Sequence, residues 1–240
     1  MNTFSRAKTR FLLRVIVGER SRLSNISENA TLDSPEDLGA ELFIVEGESA
    51  SLAVQRVCDS RFQAVLPMQG KPLNAWKANR KTVLKFGIYQ SLIKILGVGF
   101  DESIDFEKRK FDRVLILTDP DADGIHCGAL LLLFFYRWLR PWIESERLLQ
   151  IHAPKLQISA PGMGEARQLY TEEGARQLLD ALDQRKIENV IKQNYRGLAS
   201  LNADVLKRYC ISPATRKSRV LTIDDAAEAI RCFGGPNATH

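Results

Sequence analysis

The sequence has 240 residues, a mass of 27.0 kDa and 45% hydrophobic residues, so it is long enough to bury one substantial core. Its longest uncharged apolar run, CGALLLLFFY, is much shorter than the roughly 20 residues that cross a bilayer, which argues against a membrane partner. Four widely spaced cysteines without a C-x-x-C pair argue against a structural zinc site or a disulfide framework, and they favour a cytoplasmic location.

The net charge of +5 equals the excess of basic over acidic residues in the first 22 positions. These positions contain six basic residues and one acidic residue. Such an arm can contact a phosphate backbone, or it can be the solvated face of a helix. The polar, turn-rich stretch SNISENATLDSPEDLGA follows at residues 24–40, so residues 1–40 are predicted to form a basic N-terminal arm and a linker.

Four short apolar runs then predict β-strands. They are ELFIVE at 41–46, FQAVLPM at 62–68, RVLILTD at 113–119 and LLQIHA at 148–153. Helical patterns follow the first three runs, and the third helix, GALLLLFFYRWL, is apolar nearly all round. Apolar strands that alternate with helices predict an α/β fold, in which helices cover both faces of a parallel sheet.

The remainder of the chain has a different pattern. Short helical pieces, TEEGARQLLDALDQ, NADVLKRYC and TIDDAAEAIRCF, are separated by turn-rich segments. The sequence therefore predicts a main domain at residues 41–170 and a small α-rich tail at residues 171–240.

Acidic residues lie at the ends of two predicted strands. Glu46 ends the first strand, and Asp119 ends the third, with Asp121 and Asp123 just beyond it. Parallel sheets bind ligands at the carboxyl ends of their strands, so these side chains converge if the two strands are neighbours. Carboxylates that converge repel one another unless a cation lies among them, and hard oxygen ligands suit Mg²⁺. The pattern therefore predicts a magnesium site.

Three other interpretations of the acidic loop are weaker. A calcium loop that begins at Asp119 requires a glutamate at its twelfth position, which is Leu130, and helices on both sides. The loop also resembles the opening motif of haloacid-dehalogenase-like phosphotransferases, but Ile125 stands where that family usually has Thr or Ser, and the Glu46 strand comes first. Capping of the following helix explains one aspartate, but not three together with Glu46.

Three motifs occur in the order that is typical of one family. VEGESA at 45–50, LPMQGKPLN at 66–74 and TDPDADGIH at 118–126 resemble the Toprim domain of type IIA DNA topoisomerase B subunits, those of bacterial gyrase and topoisomerase IV. The segment QNYRGLASLNADVLKRYCISPATR at 193–216 also resembles the closing part of those subunits. The likeness extends over about four-fifths of the chain, and it implies a Toprim, Rossmann-like sheet followed by a gyrase-B-like tail.

The resemblance implies a role for each carboxylate. Glu46 would be the catalytic acid, which exchanges a proton with the DNA 3′-oxygen during cleavage and religation and also approaches the metal. Asp119 and Asp121 would hold Mg²⁺, and Asp123 would support the site. This agrees with the chemistry of phosphodiester cleavage, which needs phosphate charge to be neutralised and a proton for the leaving oxygen.

The resemblance also implies partners. Lys71 and Asn74 match positions that contact DNA in the family, and His126 matches the histidine after the Asp-rich loop, so the substrate would be double-stranded DNA. The catalytic tyrosine of this family lies on a gyrase A-like subunit. The ATP-binding and transducer regions have no counterpart in the sequence, so a separate ATPase subunit is a further expected partner. The expectation is an ATP-hydrolysing class of type II topoisomerase, inactive without its partners, in the cytoplasm and associated with the nucleoid.

Several positions depart from the family pattern. Ser51-Leu52 replaces a pair of glycines, and Cys127-Gly128 replaces an Ile-Arg pair. Because these changes surround the predicted metal site, two alternatives stay open. One is a stand-alone Toprim nuclease or primase-like enzyme that acts without a tyrosine partner, and the other is a DNA-binding module that has lost catalysis.

Overall fold

The computed structural model describes residues 39–234. The predicted basic arm and nearly all of the linker therefore lie outside the described residues. Within this range the chain forms a five-stranded sheet, a three-stranded sheet and helices packed around them. The α/β class that the sequence predicts is confirmed.

The described strands are β1 (Glu41–Glu46), β2 (Gln63–Met68), β3 (Arg113–Leu117), β4 (Leu148–Ile151), β5 (Leu156–Ser159), β6 (Arg167–Leu169), β7 (Ile191–Asn194) and β8 (Ser218–Val220). The described α-helices are α1 (Glu48–Val57), α2 (Arg80–Lys85), α3 (Gly87–Leu96), α4 (Ala122–Trp138), α5 (Pro141–Glu144), α6 (Glu172–Gln184), α7 (Ala203–Leu206) and α8 (Ile223–Phe233). A 3₁₀ turn at Leu198–Ser200 and a π turn at Lys207–Ile211 lie on either side of α7.

The larger sheet has the strand order β2-β1-β3-β4-β8. The four predicted strands are confirmed, and they run parallel to one another. Successive β1 side chains point to opposite faces, so Leu42 and Ile44 belong to one core cluster, and Phe43 and Val45 belong to another. Burial on both faces explains why these strands have no polar side.

Helices cover the two faces unequally. The larger core cluster lies between the sheet and helices α3, α4 and α8. Helix α4 contributes more buried side chains to it than any other described helix, which explains the all-round apolar pattern of α4. The other face is covered by α1 and by the segment 198–211. No described helix is both long enough and apolar enough to cross a membrane.

The region beyond residue 170 packs against elements that precede it in the chain. Strands β5 and β6, which precede this boundary, pair with β7, which follows it, and α6 packs on that three-stranded sheet. Strand β8 pairs antiparallel with β4, and α8 packs on α4. The physical reason is that β4 would otherwise expose an unpaired edge, which β8 pairs with. Helix α4 would likewise expose apolar surface, which α8 covers.

Candidate functional site

The structure brings Glu46 and Asp119 to the same edge of the sheet. Strands β1 and β3 are parallel neighbours, and Val45 lies opposite Leu117 in their register. Glu46 is the next residue after Val45, and Asp119 is the second after Leu117. The two carboxylates therefore approach each other at the carboxyl ends of adjacent strands, where a parallel sheet binds its ligands.

Glu46 is a carboxylate with unused binding capacity. Its Oε1 accepts a hydrogen bond from the Cys127 Sγ at 3.4 Å, whereas its Oε2 is shielded from solvent and has no hydrogen-bond partner among residues 39–234. Burial raises the pKa of Glu46, the Cys127 hydrogen bond opposes that rise, and the charges of Asp119, Asp121 and Asp123 add to it. Each raising effect is one that a bound cation would offset.

Asp119 is anchored by a segment far away in the sequence. Its Oδ1 accepts a hydrogen bond from the backbone N–H of Leu198 at 2.8 Å. Burial raises the pKa of Asp119, the Leu198 amide opposes the rise, and the charge of Asp121 contributes to it. Asp119 is therefore a half-buried carboxylate that faces another acidic residue.

Asp121 caps the helix that follows it. It is the N-cap of α4, and its Oδ1 accepts a hydrogen bond from the Gly124 N–H at 2.8 Å. The capping interpretation thus applies to this aspartate, and an N-cap contact of this kind also lies in the favourable field of the helix N-terminus.

Asp123 lies on the exposed side of the site. Its Oδ1 forms an ion pair with the Lys71 Nζ at 3.0 Å, and the two side chains are 80% and 45% exposed. The Lys71 hydrogen bond lowers the pKa of Asp123, and Asp123 in turn raises the pKa of Lys71. Lys71 therefore lies beside the acidic loop, although 52 positions separate it from Asp123.

Asn74 and His126 both contact the end of α8. The Asn74 side-chain amide donates to the Phe233 carbonyl at 2.9 Å, and its Oδ1 accepts from the backbone N–H groups of Trp76 and Lys77. The His126 ring stacks on the Phe233 ring with centroids 4.4 Å apart. These two predicted DNA-contact residues therefore have structural partners, and their DNA contact stays a prediction.

No group of three or more His, Cys, Asp or Glu side chains in the described part of the chain is arranged to hold a metal ion. The reason is visible in the hydrogen bonds, because Asp121 faces its own helix and Asp123 faces Lys71. Glu46 and Asp119 nevertheless fit a hard divalent cation in their donor chemistry, since both offer carboxylate oxygens and the Glu46 Oε2 is buried without a partner among the described residues.

Sequence reasoning missed several residues around Asp119. A Cβ on Gly124 would lie 2.0 Å from the Asp119 carbonyl oxygen, and a Cβ on Gly197 would lie 2.8 Å from the Asp119 Oδ2. Cys127 was visible only as a departure from the family pattern. The glycines stand in motifs that were recognised, but only the tertiary structure reveals that both contact one aspartate.

This α/β sheet with acidic residues beyond β1 and β3 has the architecture of a Toprim domain, and the family model described as Toprim domain matches residues 41–153. The chain is 36% identical to the B subunit of DNA gyrase from Thermotoga maritima over 90% of this chain and 34% of that protein. It is 36% identical to the B subunit of DNA gyrase from Archaeoglobus fulgidus over 83% of this chain and 30% of that protein. It is 35% identical to the B subunit of DNA topoisomerase 4 from Enterococcus faecalis over 80% of this chain and 28% of that protein.

These matches show that residues 41–153 form a Toprim domain and that most of the chain is similar to the Toprim region of type IIA topoisomerase B subunits. The resemblance predicted from the sequence motifs is thereby confirmed. The chain spans about a third of the length of the curated relatives that it matches.

Proposed function

We propose that the chain is a Mg²⁺-dependent Toprim component of a type II DNA topoisomerase. In this role it assists double-strand cleavage and religation by a partner subunit that carries the nucleophilic tyrosine. The observation that carries the proposal is the pair Glu46 and Asp119 at adjacent strand ends, with the Glu46 Oε2 buried and without a partner among the described residues.

Each carboxylate has a part in this proposal. Glu46 would exchange a proton with the DNA 3′-oxygen and would share the metal with Asp119 and Asp121, while Asp123 supports the site from the exposed side. Bound Mg²⁺ would supply neutralising charge at the scissile phosphate. Asp121 can take part only through an oxygen that its helix cap leaves available, and Asp123 only by exchanging or sharing its contact with Lys71.

DNA would approach the exposed side of this edge. Lys71 is close to half exposed and its charge lies beside the acidic loop, so it is suited to contact a phosphate near the site. Asn74 and His126 would complete this surface. The basic residues of the first 22 positions would add further phosphate contacts.

The partners follow from the kind of relatives that the chain resembles. Their names describe B subunits of gyrase and of topoisomerase IV, so a gyrase A-like subunit with the tyrosine is the expected partner. ATP hydrolysis by a separate subunit and a cytoplasmic, nucleoid-associated location complete the proposal.

The test is reconstitution. The chain is mixed with a gyrase A-like subunit, supercoiled plasmid and Mg²⁺, and covalent cleavage complexes are counted after a denaturing quench. We expect cleavage with the wild-type chain and only background cleavage with Asp119→Ala. Asp180→Ala, which removes an exposed carboxylate on α6, is the matched control and should cleave like wild type.

The same experiment separates the alternatives. Equal cleavage by wild type and Asp119→Ala would overturn the proposal. Metal-dependent nicking by the chain without its tyrosine-bearing partner would support the nuclease or primase-like alternative. Salt-sensitive DNA binding without any cleavage would support a binding module that has lost catalysis.

A further inference from the structure

The carboxylate of Asp119 is held by a backbone segment from the C-terminal part of the chain. The N–H of Leu198 donates to the Asp119 Oδ1 at 2.8 Å, across a separation of 79 residues. This amide opens the short 3₁₀ turn at Leu198–Ser200, so its N–H is not used by an earlier turn of helix. The hydrogen bond therefore ties a predicted metal ligand to a segment beyond the matched Toprim residues.

Gly197 is required for this contact on two independent grounds. Its backbone has φ 146° and ψ 178°, a region that is essentially restricted to glycine. A Cβ at this position would also lie 2.8 Å from the Asp119 Oδ2 and 3.0 Å from its Oδ1. A larger residue would therefore push the carboxylate out of place even if the backbone kept its conformation.

The segment is fixed by the same core that fixes the strands. The Leu198 side chain is fully buried in the cluster that contains Val45 and Leu117, which lie next to the site at the ends of β1 and β3. The Ser200 hydroxyl braces the turn, because it donates to the Gly197 carbonyl at 2.7 Å and accepts from the Arg196 N–H at 2.9 Å. The Leu198 amide thus has a defined position relative to Asp119.

We propose that Gly197 and the Leu198 amide form a positioning segment for the Asp119 carboxylate, so that the C-terminal region completes the candidate metal site. The role in metal binding rests on the proposed function of Asp119, whereas the contact itself does not. Groups that hydrogen-bond a metal ligand orient it, and their loss typically lowers metal affinity about 10–100-fold.

The first experiment tests the contact without any metal. Hydrogen exchange at the Leu198 amide is measured by NMR in the wild-type chain, Asp119→Ala, Asp119→Asn and the control Asp180→Ala. We expect exchange in Asp119→Ala to be about tenfold faster, as for the loss of one hydrogen bond. Asp119→Asn retains an acceptor oxygen and should restore most of the protection, and Asp180→Ala should match wild type.

The second experiment tests positioning through metal affinity. Mn²⁺, used as the probe, is titrated into the wild-type chain, Asp119→Ala, Gly197→Ala and Gly164→Ala, with binding followed by electron paramagnetic resonance. Gly164 also has a positive φ, 71°, but a Cβ there would meet nothing within 4 Å. We expect Gly197→Ala to bind Mn²⁺ about 10–100-fold more weakly, and Gly164→Ala to bind like wild type although it also places a side chain at a positive φ.

The two experiments fail in different ways. If the Leu198 amide exchanges in Asp119→Ala as it does in wild type, the positioning role of Gly197 and Leu198 is overturned. That result is compatible with a loss of Mn²⁺ binding in Asp119→Ala, which would leave the proposed function intact. Wild-type Mn²⁺ affinity in a folded Gly197→Ala would overturn it as well. If Asp119→Ala retains full Mn²⁺ affinity, the metal role in the proposed function fails, and the Leu198 exchange then decides the contact alone. Should Gly197→Ala not fold, the comparison of Asp119→Ala with Asp119→Asn decides.

Discussion

Strand β1 begins and ends with a glutamate, and the two carboxylates have opposite surroundings. Glu41, at the start, is fully buried, and its oxygens accept from the Arg216 guanidinium at 2.5 and 2.7 Å. The Gln63 amide adds a hydrogen bond of 2.9 Å. Glu46, at the end, accepts a hydrogen bond from the Cys127 thiol with one oxygen, and its other oxygen is without a hydrogen-bond partner among the described residues.

The difference shows which end of the sheet serves stability and which serves binding. The buried Glu41 carboxylate is satisfied within the chain by the bidentate Arg216 guanidinium and the Gln63 amide. Its ion pair therefore joins β1 to the C-terminal region that carries Arg216. A partly buried carboxylate among other acids is not satisfied, and it retains capacity for an external cation or proton. Four predictions test this contrast, from the largest expected effect to the smallest.

The largest effect is expected where the satisfied end is broken. Arg216→Met removes the bidentate partner of the buried Glu41 carboxylate and leaves it the more distant Arg113 guanidinium, at 4.0 Å. The loss of a partner from a buried pair typically costs about 3–5 kcal/mol. The measurement is the free energy of unfolding in denaturant. Arg140→Met, which breaks an exposed pair with Glu144, is the control and should cost at most about 1 kcal/mol.

A further variant sharpens this result. Adding Glu41→Met to Arg216→Met removes the buried carboxylate that has lost its partner, and it should recover part of the lost stability. If Arg216→Met costs no more than the exposed control, Glu41 is not held as a buried ion pair, and the contrast between the two ends disappears.

The second prediction separates the role of Asp121 as a helix cap from a role in metal binding. Asp121→Ala removes the cap of α4 and should cost about 1 kcal/mol, whereas Asp121→Asn retains an acceptor for the Gly124 N–H and should cost little. Both should weaken Mg²⁺ binding if Asp121 is a ligand, as calorimetric titration can measure. If Asp121→Asn binds Mg²⁺ as wild type does, Asp121 caps α4 and is not a metal ligand.

The third prediction concerns pH at the unsatisfied end. Because burial raises the pKa of Glu46 in the folded chain, that chain holds this proton more tightly than the unfolded chain does. The resulting stabilisation is complete below the unfolded pKa of about 4.3 and is lost as the pH rises through the folded pKa. Relative to Glu46→Gln, the metal-free wild type should therefore lose stability as the pH rises from 4 to 7, and the loss should be small because Glu46 is partly exposed to solvent.

The control for this prediction is Mg²⁺. Saturating metal should reduce or reverse the loss, because a bound cation favours the charged form of Glu46. A wild type whose stability relative to Glu46→Gln does not change with pH would show that the raised pKa is absent.

The smallest effect on stability is expected at the exposed pair of Lys71 and Asp123. Lys71→Ala should leave the thermal midpoint unchanged, because both side chains are largely solvated. If Lys71 contacts a phosphate, DNA affinity should fall uniformly across sequences, and the salt slope should decrease by about 1. Lys192→Ala, at the exposed pair with Glu172, is the matched control. An unchanged salt slope in Lys71→Ala would exclude the phosphate contact.

Sequence alone determined the parts of the fold and the site that depend on local pattern. Strands β1 to β4 are continuous apolar runs, and helix α4 is apolar all round, so their burial on both sides follows from composition. Glu46 and Asp119 end such runs, and parallel strands with helical crossovers bring their ends to one edge. The family resemblance came from the motifs at those ends, from LPMQGKPLN after the second strand and from the segment 193–216.

Tertiary structure decided how each polar group is used. Strands β5 to β8 have only three or four residues each, and β7 is exposed along its whole length, so these strands are too short for a periodic pattern to predict them. The side chain of Asp121 could bind a metal or cap its own helix, and that of Asp123 could bind a metal or pair with Lys71. The sequence does not distinguish between these possibilities. The Leu198 amide reaches Asp119 because hydrophobic packing brings together segments 79 residues apart, and a hydrogen bond to the backbone leaves no signature in residue type.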